Sequence, residues 1–69
     1  MTIVAFHGFP LWIRVLLMKN EIEMLLHNLP ESNTFELFVP YWEDLPIYQA
    51  AAAEASLEKG RQIIVIFPS

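Results

Sequence analysis

The chain has no cysteine. Disulfides and thiolate metal sites are thereby excluded, and the reducing cytoplasm is the default expectation for its location. Glycine is almost as scarce, with only Gly8 and Gly60. So far apart, they build neither a dinucleotide fingerprint nor a Walker loop. Four basic residues face eight acids, for a net charge of −4. Direct nucleic-acid binding needs a basic stripe and is not expected. The acids are scattered, and only Glu43 and Asp44 are adjacent, so mimicry of nucleic acid is equally unsupported. A long hydrophobic run is missing too. The most apolar window, Phe9 to Met18, is ten residues long and contains Arg14, whereas a membrane span needs about 20. No basic segment followed by an apolar core opens the sequence, so no secretory signal is expected. His7 and His27 lie twenty residues apart, without ligand spacing. No metal and no cofactor is expected.

What is present is apolar surface. Of 69 residues, 55% are hydrophobic and 17% charged. So few charges cannot cover so much apolar area, and an exposed patch marks an interface. The length gives one domain, residues 1–69, near the lower limit for an independent core. Without disulfide or metal, a domain of this size draws extra stability from oligomerisation or from a partner.

Three segments read as strands: Thr2 to Phe6, Thr34 to Val39 and Gln62 to Phe67. The first and third are apolar, largely β-branched runs without alternation, as in parallel strands covered on both faces. In the second, TFELFV, Glu36 marks a more exposed strand. Two segments read as helices. Leu11, Val15, Met18, Ile22, Leu25 and Leu29 are spaced 4, 3, 4, 3, 4, one stripe of a helix. Pro10 suits its start, and Asn28 with Pro30 its end. Pro46 opens the second helix, AAAAEASLEK has high helix propensity, and Gly60 fits a C-terminal cap.

The expected fold is α/β: a small three-stranded, mainly parallel sheet in the order β-α-β-α-β, with two helices. Strand order 2-1-3 would place the first strand in the centre and the helices on opposite faces. The alternative is α+β, with Leu11 to Met18 as a strand in an N-terminal hairpin (β-β-α-β-α-β). Asn20 and Glu23 would then form a capping box for a shorter helix.

On the favoured order, Gln62 to Phe67 is an apolar edge. Such edges invite pairing, so Ile63, Ile64, Val65, Ile66 and Phe67 are the expected contact of a homodimer. The carboxyl ends of the strands would gather His7, Tyr41, Trp42, Glu43, Asp44 and Ser69 on one rim, where ligands bind in parallel sheets. On this rim the stretch IVAFHGFP resembles the oxyanion-loop strand of the α/β-hydrolases, an apolar strand ending in His-Gly. The resemblance implies His7 and Gly8 as an oxyanion loop and Ser69 as the counterpart of the nucleophile region. The family's G-x-S-x-G elbow is absent, and its later acid and histidine have no counterpart in these residues.

Polar-tipped aromatics favour binding hot spots. Tyr41, Trp42 and Tyr48, bordered by Glu43 and Asp44, are therefore the expected partner-binding cluster. The leading expectation is a non-catalytic protein-binding module, a small acidic inhibitor or adaptor that covers a partner protein's site. Stand-alone chains of this size without catalytic motifs occur among phage and mobile-element proteins that block host machinery or defence, an analogy from size alone. The alternatives are a small-ligand or hydrolase-like site around His7, and a structural subunit that only oligomerises.

Overall fold

A computed structural model of the chain describes residues 6–29 and 34–67. The first helix, α1, runs from Leu11 to Asn28. Pro10 stands at its N-cap, and its carbonyl accepts the Arg14 N–H at 3.0 Å. A proline costs nothing there, because the first N–H groups of a helix have no internal partner. The helix ends at Leu29, which is extended, as the residue before a proline tends to be.

Residues 11–18 are thus helical, and the alternative with a strand over Leu11 to Met18 and an N-terminal hairpin is corrected. A short apolar run fits a strand and a helix equally. What decides here is a helical stripe long enough to meet a second helix. That stripe is Met18, Ile22 and Leu26, all buried, with Val15 packed beside them. The ends of the expected stripe, Leu11 and Leu29, are exposed.

The first strand, β1, spans Thr34–Phe38, and a 3₁₀ turn over Trp42–Asp44 leads into α2, Leu45–Lys59. Pro46 lies in the first turn of α2. Gly60 closes the helix at φ 64°, and its N–H donates to the Ser56 carbonyl at 2.9 Å. That left-handed backbone is open to glycine without steric cost. The buried face of α2 is Ile47, Tyr48, Ala51, Ala52 and Ala55. Small side chains there let a neighbouring helix approach closely. α2 touches both α1 and the second strand, β2, at Gln62–Ile66, so it is the centre of the core.

β1 and β2 are parallel, in register from Thr34 opposite Gln62 to Phe38 opposite Ile66. The Val39 N–H extends the ladder to the Ile66 carbonyl at 2.8 Å. Among the described residues the sheet has two strands. The expected strand at Thr2 to Phe6 falls on residues 2–5, outside the described residues, and Phe6 itself sits at φ 56°.

The order 2-1-3 does not hold, because the strands expected to flank a central strand pair directly with each other. A single helical crossover suffices to bring two consecutive parallel strands together, and α2 provides it. Phe35, Leu37, Val39, Ile63 and Val65 face the core, whereas Glu36, Phe38 and Ile64 are exposed on the opposite face. The cover expected on both faces of Gln62 to Phe67 is not found at Ile64.

Polar contacts tie the ends of the helices together. Arg61 Nη1 donates to the Leu26 carbonyl at 2.9 Å, satisfying one of the free carbonyls in the last turn of α1. Lys19 Nζ donates to Glu58 Oε1 at 2.8 Å and lies 3.8 Å from Glu23 Oε1. Glu23 Oε1 is buried without a hydrogen bond. A hydrogen bond to Glu58 pushes the Glu23 carboxyl above its usual range, assisted by burial and by the Glu58 charge. Glu58 is held below its usual range by the same hydrogen bond and by Lys19. The surroundings thus favour the neutral form of Glu23 and the charged form of Glu58, which pairs with Lys19.

The raised Glu23 contributes stability that is complete below its ordinary carboxylate value and is lost as pH rises through the folded value. The lowered Glu58 contributes stability that is present above its ordinary value and is lost as pH falls. Glu23→Gln keeps a donor for Glu58 and removes the charge. Its urea midpoint should exceed the wild-type midpoint above the folded Glu23 value, and the wild-type decline with rising pH through that value should flatten. A variant with the wild-type pH profile would refute the raised Glu23 carboxyl.

Candidate functional site

The site grows from the turn between β1 and α2. Tyr41 is extended, and the Asp44 N–H returns to the Tyr41 carbonyl at 3.1 Å. Asp44 thereby reaches the N-cap of α2, where an acid favours the positive end of the helix. Its side chain makes no capping bond and turns inward to α1 and the segment before it. Arg14 Nη2 donates to Asp44 Oδ1 at 2.8 Å, and His7 Nε2 bonds Oδ2 at 2.8 Å. The Asp44 side chain is 4% exposed, and that of Arg14 18%, against 55% for His7. A lone carboxylate so deeply buried would be costly. Arg14 offsets that cost in the interior, and His7 bonds the other oxygen from the surface.

The surroundings extend this centre. The His7 and Tyr41 rings meet edge-on, with centroids 6.4 Å apart. Tyr48 is buried in the first turns of α2. Burial pushes its hydroxyl above the usual range, and the Asp44 charge adds to the shift. The turn before α1 closes through a hydrogen bond from the Phe9 N–H to the Phe6 carbonyl at 3.0 Å. His7 and Gly8 are the central residues of this turn, and its left-handed residue is Phe6, at the first position. A left-handed non-glycine residue costs about 1–2 kcal/mol, and the bonds of His7 to Asp44 and of Phe9 to Phe6 hold it there.

The expected binding cluster divides. Tyr41, Trp42 and Glu43 are exposed, whereas Asp44 and Tyr48 are buried, so the exposed cluster loses two of its five members. Asp44 and Tyr48 stand four residues apart and continue the inner face of α2 through Ala51, Ala52 and Ala55. Of the expected dimer edge, Ile64 and Phe67 are exposed, while Ile63, Val65 and Ile66 are half-buried. The expected rim is met in part: His7, Tyr41 and Asp44 come together, and Ser69 lies outside the described residues.

Arg14 was not expected in the site. A signal for it exists in the sequence. It is the one charge in an apolar stretch and stands in the first turn of a helix, where a cation opposes the dipole. The first turn of α1 holds no acid, so a partner must come from elsewhere. His27 is exposed, as expected, beside a shallow groove that Glu23 and Lys59 also line. Among the described residues no group of three or more His, Asp or Glu is placed to hold a metal ion. No helix among them is long and apolar enough to cross a membrane.

A histidine oriented by a buried acid is one half of a nucleophile-activating arrangement. Among the described residues no serine or threonine completes it: Ser56 donates to the Arg61 carbonyl, and Thr34 opens β1. Comparison with family models, with curated proteins and with solved structures finds no match.

The Asp44 centre should matter most when one charge is removed alone. Breaking a buried ion pair costs about 3–5 kcal/mol. Arg14→Met should therefore lower the urea midpoint severely at neutral pH. Arg14→Met with Asp44→Asn should recover part of the loss, because no unpaired charge is left inside. A single variant as stable as wild type would show that Arg14 does not stabilise Asp44.

Proposed function

We propose that the chain is a non-catalytic protein-binding module whose contact surface is the aromatic rim around the Asp44 centre. The carrying observation is a contrast across a few residues. Asp44 is buried and bonded to both His7 and Arg14, whereas Tyr41 and Trp42 beside it are 58% and 69% exposed. Trp12, two residues before Arg14, is also 69% exposed. Two segments distant in sequence are thus tied by one carboxylate and carry large aromatics outward. Holding such groups in place before binding lowers the entropic cost of association. Tryptophan and tyrosine are also the side chains that most often dominate binding energy. An inhibitor or adaptor that covers a partner's site fits this display, and a phage or mobile-element origin agrees with the size by analogy alone.

A second reading is self-association, favoured by the exposed outer face of the sheet at Phe38 and Ile64. The two readings separate in one experiment, affinity capture followed by size exclusion with light scattering. The binding module should hold one partner at fixed stoichiometry. Trp42→Ala should abolish that complex while the circular dichroism of the free chain stays unchanged. Capture that survives Trp42→Ala would remove the aromatic rim as the contact. A purified chain that elutes at twice the monomer mass without a partner would favour the second reading.

A further inference from the structure

The distribution of charge points to the chemistry of the partner. Three of the four basic side chains are committed inside the molecule: Arg14 to Asp44, Lys19 to Glu58 and Arg61 to the Leu26 carbonyl. The fourth, Lys59, sits in the last turn of α2, away from the rim. Of the two acids at the rim, Asp44 is already paired with Arg14. Glu43 is exposed and makes no ion pair among the described residues. Its neighbours in the chain, Tyr41 and Trp42, expose their rings.

An exposed carboxylate within two residues of exposed aromatic side chains offers an organic cation both kinds of contact. The carboxylate supplies charge and the ring faces supply cation–π attraction. Guanidinium suits this pair better than ammonium, because it stacks on a ring and bonds a carboxylate through its edge at the same time.

Resting on the binding-module reading, we propose that the rim takes an arginine-bearing segment of a partner protein, with guanidinium stacked on Trp42 or Tyr41 and paired to Glu43. A second copy of this chain is a poor source of that group. Its two arginines are Arg14 and Arg61, and both are held by internal hydrogen bonds.

The test uses tryptophan fluorescence of the full chain carrying Trp12→Phe, so that Trp42 alone reports. The probe is the blocked peptide Leu-Arg-Phe-Arg-Leu, compared with the same peptide in which citrulline replaces arginine. The arginine peptide should bind saturably, with the citrulline peptide about five-fold weaker or more, from the energy of a partly exposed cation–π contact and ion pair. Glu43→Gln should reduce affinity for the arginine peptide by a similar factor and leave the citrulline peptide unaffected. Equal affinity for both peptides would overturn the inference and leave the binding-module reading standing, since the rim would then be an apolar contact. Arginine preference undiminished by Glu43→Gln would also overturn it, because Glu43 would then contribute no pairing to the bound guanidinium. A Trp42 signal that changes with chain concentration alone would assign the rim to a second copy. Absence of binding by either peptide would reject the arginine-bearing partner; the binding-module reading falls as well only if Trp42→Ala leaves the captured complex intact.

Discussion

Asp44 is almost wholly buried, yet both of its oxygens are taken by side chains 30 and 37 residues earlier in the chain. A small domain without disulfides has few ways to fix the start of one element against the start of another. Here one carboxylate does so for the turn before α1, the first turn of α1 and the first turn of α2. The arrangement also resolves a conflict within α1. A guanidinium at the positive end of a helix is unfavourable alone, and Asp44 brings the opposite charge without adding an acid to that turn. The same ion pair then fixes where His7 and Tyr41 stand. The rim is therefore a consequence of how the interior is neutralised.

The second constraint is the smallness of the α2 face. Ala51, Ala52 and Ala55 are buried and bring α1 close, while Ile47 and Tyr48 fill the space near the Asp44 end. Close packing accounts for the core without large side chains on that face. It also accounts for what is left outside. α1 turns Met18, Ile22 and Leu26 inward with Val15 beside them, and this inner face does not take all of its apolar residues. Leu11, Trp12, Leu16 and Met24 remain exposed. An excess of apolar residues over available core is the physical origin of the surface from which binding is argued.

Elements bounded by local chemistry were legible in the sequence. Pro10 and Asn28 delimit α1, and Gly60 ends α2, because each residue acts through its own backbone or its immediate neighbours. The two described strands were legible for the same reason, to within one residue at their ends. What was not legible depended on contacts between distant segments. Strand order is a global property, and a β-branched run reads alike in the centre or at an edge. The burial of Tyr48 and Asp44 follows from the face that α2 turns inward, which the alanine-rich run leaves almost without hydrophobic contrast. Of the site, His7, Tyr41 and Asp44 could be placed on one rim from strand ends alone. Their joining through Arg14 could not, although a cation in the wrong place on a helix already asks for a distant acid.

Glu43 and Asp44 show how adjacent acids acquire different chemistry from one turn of backbone. The 3₁₀ turn sends Asp44 to the N-cap of α2 and into the interior, where two side chains saturate it. The same turn leaves Glu43 in solvent, beside Trp42 and without an ion pair among the described residues. In water the charge of Glu43 adds little to stability, since exposed charges interact weakly. Covered by a partner, it loses hydration and must find a cation, or binding is opposed. A surface that exposes an unpaired carboxylate next in sequence to large aromatics therefore discriminates by penalty as well as by attraction. A neutral apolar partner gains the ring contacts but has to leave Glu43 wet, whereas a partner with a matching cation can close over the whole rim.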